Sequence, residues 1–73
     1  MHFTKEQAED LKTKLFDTRN AIGFPTNQKQ TQQLNLISRT LDTVLDSEDK
    51  KFPIFELHNF QVEELVELFE EYL

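Results

Sequence analysis

Three stretches of the chain place apolar residues three and four positions apart, the spacing of one face of an α-helix. In the first, Ala8, Leu11, Leu15 and Ile22 recur with Thr18 filling the gap. In the second, a polar lead (Asn27 to Gln33) is followed by Leu34, Ile37, Leu41, Val44 and Leu45. In the third, Val62, Leu65, Leu68, Phe69, Tyr72 and Leu73 fall on one side, with Val66 near the edge. At 100° per residue that last arc spans ~160°, wide enough to pack against two neighbours. Glu63, Glu67 and Glu70 fall together on the opposite side, flanked by Glu64 and Glu71.

Local signals set the boundaries. Thr4 and Gln7 have the spacing of a capping box, with Phe3 and Ala8 as its apolar staple. Lys5–Glu9 and Asp10–Lys14 are opposite charges one turn apart, worth a few tenths of a kcal/mol each. Gly23 is placed to end this helix in the left-handed conformation, and Pro25 blocks a restart before Thr26. Thr26 and Asn27 are both good caps for the second helix. Asp42 and Asp46 are like charges near its C-terminal end, where the dipole disfavours anions. The second helix is therefore predicted to end between Asp46 and Glu48, with Ser47 to Lys51 as a loop.

The segment Phe52 to Phe60 has two readings. A helix from Pro53 would align Phe55, His58, Val62, Leu65, Phe69 and Tyr72 at helical spacing. The favoured alternative is an extended or turn-like segment, then a helix from Phe60-Gln61, because Asn59 breaks helices readily. A strand here would have no evident partner within the chain and would pair with another copy or another protein. The predicted fold class is all-α: one small three-helix domain over residues 1–73, with helices at about 5–22, 28–46 and 61–72 and an irregular aromatic segment at 52–60.

Size and charge narrow the function. Seventy-three residues with 27 apolar positions, ten of them Leu and seven Phe, make one thin core without an enclosed substrate cavity. The absence of cysteine excludes disulfides and thiolate zinc sites and favours a reducing compartment. No apolar run resembles a signal peptide or approaches the roughly 20 residues of a membrane span. A cytoplasmic protein is expected. The net charge is −6, and it is polarised. Residues 1–41 carry six Lys/Arg and four Asp/Glu, net +2, whereas residues 42–73 carry two Lys and ten Asp/Glu, net −8. An acidic protein with scattered basic residues opposes phosphate backbones, so direct nucleic-acid binding is not expected.

Catalytic chemistry is not indicated. There is no Cys, and the two serines, Ser38 and Ser47, fall mid-helix and in a charged loop, without a neighbouring base. No Gly-rich phosphate cradle or short catalytic motif is present. His2 and His58 suggest a mobile terminus and a partly buried polar residue near a helix start, not metal ligands. The glutamates of the third helix lie along an exposed face with no pocket-forming residues beside them. The expectation is no enzyme, no cofactor and no metal.

What remains is a binding surface. Glu63, Glu67 and Glu70 offer charge complementarity to a protein with a basic surface. Phe55, Phe60 and Tyr72 are candidate apolar anchors. Leu36 and Phe16 fall outside the core stripes of their helices and could flank a further helix–helix contact. The expected function is a small acidic protein–protein interaction module, an adaptor or inhibitor of a larger protein, of a kind plausible in phage or mobile elements. Two alternatives stand beside it. One is a nucleic-acid mimic that blocks a basic cleft. The other is a self-associating structural or regulatory oligomer, a homodimer or larger, with the acidic helix of one copy near the basic first helix of the next.

Overall fold

A computed structural model describes residues 1–48 and 54–73; of Glu48, Ile54 and Phe55 it describes the backbone. The order is β1 (His2–Thr4), α1 (Lys5–Ile22), α2 (Gln28–Glu48), β2 (Ile54–Glu56) and α3 (Asn59–Tyr72). The all-α, three-helix expectation is what the molecule shows, with one small addition. β1 and β2 form a two-stranded antiparallel sheet, with Phe3 opposite Phe55.

The capping box forms as its residues dictate. Thr4 Oγ1 accepts from the Gln7 amide at 3.2 Å, and Gln7 Oε1 accepts from the Thr4 amide at 3.0 Å. Arg19 O accepts from the Gly23 amide at 3.1 Å to close α1. Gly23 takes a positive φ of 65°, but its ψ of −126° lies outside the left-handed helical well. That region is open to glycine because it lacks a Cβ. Asn27 starts α2: its Oδ1 accepts from the Gln30 amide at 2.9 Å. Gln30 Oε1 in turn accepts from both the amide and the hydroxyl of Thr26. α2 runs on through Glu48 despite the Asp42/Asp46 pair.

The expectation that a strand near residue 54 would need another chain is corrected by the pairing with His2–Thr4. The pairing extends one residue further: Leu57 N donates to Met1 O at 3.0 Å, and Met1 N donates to Leu57 O at 2.7 Å. Phe3 is partly buried against the core, while His2 and Thr4 face outward. His2 is thus held in a strand, with Nε2 3.9 Å from the Glu56 carboxylate across the pair. The second correction is the start of α3, which begins at Asn59 with His58 as N-cap. Asn is tolerated in a first turn, where helix amides have no intrahelical partner in any case. The predicted loop positions 49–51, together with Phe52 and Pro53, lie outside the described residues.

The core is a single apolar cluster. α1 contributes Ala8, Leu11, Leu15 and Ile22; α2 contributes Leu36, Ile37, Leu41 and Val44; α3 contributes Leu65 and Leu68; and Leu57 joins from the β2–α3 junction. The backbone of α1 packs closely on both α2 and α3. Thr18 and Thr40 are fully buried, and each hydroxyl donates to the carbonyl one turn earlier, so neither leaves a buried polar atom unpaired.

Candidate acidic docking surface on α3

α3 is placed by its apolar face. Leu65 and Leu68 are buried, and Val62, Phe69 and Tyr72 pack partly buried against the core. Lys14 Nζ of α1 stands 6.0 Å from the Phe69 ring centroid, so α1 meets this flank. The other flank meets α2 through long polar side chains. Gln61 Nε2 donates to Thr40 Oγ1 at 2.9 Å. At the far end, Tyr72 OH donates to Gln33 Oε1 at 2.9 Å, and Gln33 Nε2 donates to Glu71 Oε2 at 2.9 Å. Lys29 Nζ donates to Glu71 Oε1 at 3.0 Å. This contact holds the Glu71 carboxyl below its ordinary range and raises Lys29 above its own.

Glu63, Glu67 and Glu70 are exposed, as their positions on the helix demand. None of them, nor Glu64, has a cation within ion-pair distance among the described residues. Phe60 lies at the head of the same face, one and two turns before Glu63, Glu64 and Glu67. It is 63% exposed, and its ring stacks on His58 at 5.9 Å. The structure therefore brings Phe60 together with Glu63, Glu67 and Glu70.

The other candidates lie elsewhere. Tyr72 is half-buried in the α2–α3 seam, so it is not free to anchor a partner. Leu36 is a correction: it is 9% exposed and belongs to the core. α2 packs on α1 and turns its Leu36 side toward α3, so its apolar arc is wider than one stripe. Phe16 is 40% exposed on α1. The Phe55 side chain lies outside the described residues. His58, expected to be partly buried, is exposed.

The acidic face also borders a feature that sequence reasoning missed. A groove of about 570 Å³ runs between α2 and α3, lined among others by Leu36 and Arg39 of α2 and by Glu64, Glu67 and Leu68 of α3. The expectation that no pocket-forming residues stand beside the glutamates is thereby corrected. The groove's signal was present in the sequence only as the run of glutamines and charged residues on α2, whose direction depends on the packing.

Among the described residues, no group of three or more His, Asp or Glu is arranged to hold a metal ion, and no helix is long and apolar enough to cross a membrane. Compared with protein-family models, curated proteins and solved structures, the chain finds no match.

Proposed function

We propose that the protein is a small interaction module that docks on a larger protein with a basic surface, through the outward face of α3. It acts as an adaptor or inhibitor by steric occlusion, without catalysis, and its acidic face steers the encounter. The observation that carries this reading is the set of four exposed carboxylates, Glu63, Glu64, Glu67 and Glu70, that no cation of the described residues pairs.

The charge placement is not explained by folding. α3 has no acidic residue in its first turn and no basic residue in its last. Glu70 and Glu71 fall in its last turn, where the helix dipole disfavours anions. Glu63–Glu67 and Glu67–Glu71 are like charges one turn apart, which also work against the helix. Charges that oppose their own element are expected where a site, not the fold, requires them. Phe60 adds an exposed aromatic of the kind that anchors interfaces.

The test is a pull-down from the source cell's lysate, comparing wild type with Glu63→Lys/Glu67→Lys/Glu70→Lys, with retained proteins identified by mass spectrometry. A partner held by wild type and lost by the still-folded variant supports docking through α3; a partner held equally by both refutes it. If the partner normally binds nucleic acid and the complex collapses with salt, the variant reading of a nucleic-acid mimic gains; binding that survives high salt counts against it.

A self-associating oligomer is the second reading. It is favoured by Phe16 and Leu45, which are 40% and 42% exposed on α1 and α2. A monomer by light scattering at tens of micromolar ends it.

A further inference from the structure

We propose that a second apolar stripe on α3, formed by Val62, Val66, Phe69 and Leu73, seats a helix of the partner protein that carries a matching apolar seam with Lys or Arg beside it. This deepens the docking reading above and rests on it.

At 100° per residue these four side chains fall within an arc of ~60°, beside the arc of Leu65, Leu68 and Tyr72 that faces the core. Val62 and Phe69 are half-buried against the core. Val66 and Leu73 lie outside it, 48% and 62% exposed. α1 meets this line at Phe69, with Lys14 Nζ 6.0 Å from the ring centroid, and leaves Val66 and Leu73 open to solvent. The steps of four, three and four residues are those of a coiled-coil seam, in which knobs of one helix enter holes of the next. From Val62 to Leu73 the line runs about 16 Å, roughly three helical turns. A single exposed valine or leucine is ordinary, but here two of them continue a line that the core already half covers.

Charge selects the occupant. Glu63 and Glu70 border the stripe on its outer side, and both are exposed without an ion-pair partner among the described residues. On α1, exposed Asp10 and Asp17 stand one turn before and after Lys14, so that border also carries more anions than cations. A second copy docked through the same stripe would bring the same acidic border to both sides of an isologous contact, and the carboxylates would repel. A helix with Lys or Arg beside its apolar seam meets them with opposite charge. The aliphatic stems of those residues cover Val66 and Leu73 while their heads reach Glu63 and Glu70.

The probe is a synthetic Ala-rich helical peptide with Leu at steps of four, three and four and Arg at the flanking positions, titrated into the ¹⁵N-labelled full chain. A second peptide carries Glu in place of Arg. The expected result is saturable shifts at the amides of Lys14, Val62, Val66, Phe69 and Leu73 with the Arg peptide, and none with the Glu peptide. Val66→Ser/Leu73→Ser, with circular dichroism unchanged, weakens binding about tenfold or more, and Phe16→Ser does not. Equal binding by wild type and the Val66→Ser/Leu73→Ser variant overturns the stripe as the seat. Saturable shifts centred on Phe60, Glu64 and Glu67 overturn it too, while leaving docking through α3 intact. Shifts of the stripe amides when the chain alone is concentrated make a second copy the occupant and overturn the proposal. The absence of any saturable shift also overturns it, and the lysate pull-down then decides the docking reading separately.

Discussion

The Gln61 side-chain amide donates to the Thr40 hydroxyl at 2.9 Å, and that hydroxyl donates onward to the Leu36 carbonyl at 2.8 Å. One fully buried oxygen thus links α3 to the backbone of α2. Removing only one partner strands a desolvated amide or hydroxyl, whereas removing both removes the need for either. Thr40→Val is predicted to cost about 1–2 kcal/mol, and Thr40→Val combined with Gln61→Leu less than the sum of the single changes. Urea denaturation of the double-mutant cycle measures the difference.

Leu36 and Phe16 both fall outside their sequence stripes, yet the fold treats them differently. Leu36→Ala is predicted to destabilise by about 2–3 kcal/mol, because it opens a cavity in the core. Phe16→Ser, at a half-exposed position, is predicted to change stability by about 0.5 kcal/mol or less. Equal effects in chemical denaturation would contradict the burial of Leu36.

His58 occupies the N-cap of α3 in the extended conformation, but its side chain makes no capping bond. Its ring stacks on Phe60 instead. His58→Asp supplies the missing acceptor and a favourable charge at the helix start. It is predicted to stabilise the fold by about 0.5–1 kcal/mol. Thermal unfolding at neutral pH checks the sign.

Lys29 and Glu71 give the seam a pH dependence. The hydrogen bond from Lys29 is the main cause of the depressed Glu71 carboxyl, with Gln33 adding to it, partly offset by desolvation. A carboxyl depressed in the folded state stabilises above its unfolded pKa, and that stabilisation is lost as pH falls through the folded value. Lys29 is raised, mainly by its hydrogen bond to Glu71. Its contribution is complete below the unfolded lysine pKa and is lost as pH rises through the folded one. The stability gap between wild type and Glu71→Gln should therefore be level through neutral pH and close in acid. Added salt should narrow it at pH 7, since both side chains are substantially exposed. Denaturant titrations across pH and ionic strength measure both trends.

Most of the fold was legible because it is local. The Thr4–Gln7 box, the Gly23 stop and the Asn27 cap each act within a few residues, so α1 and the start of α2 follow from short-range chemistry. The β1–β2 pair was not legible. Phe3 and Phe55 are far apart in sequence, and three-residue strands carry too little alternation to announce a partner. Asn59 was misjudged because helix propensity weighs a helix interior, while this residue sits in a first turn. At the candidate site, periodicity alone placed Glu63, Glu67 and Glu70 outward. It put Tyr72 on the apolar side, where it packs against the core, but it could not place Leu36 or the groove, since these depend on which side of α2 and α3 faces the other helix. No one-helix pattern contains that information.

The central claim is that the outward carboxylates of α3 serve a partner and not the fold. Denaturation of Glu63→Gln/Glu67→Gln/Glu70→Gln beside wild type, at neutral pH and low salt, tests it most directly. The substitutions keep side-chain shape while removing like-charge repulsion and, at Glu70, the unfavourable dipole interaction. The variant's unfolding midpoint is expected to rise by a few degrees. A midpoint below that of wild type would mean that these charges stabilise the native chain, which contradicts the claim.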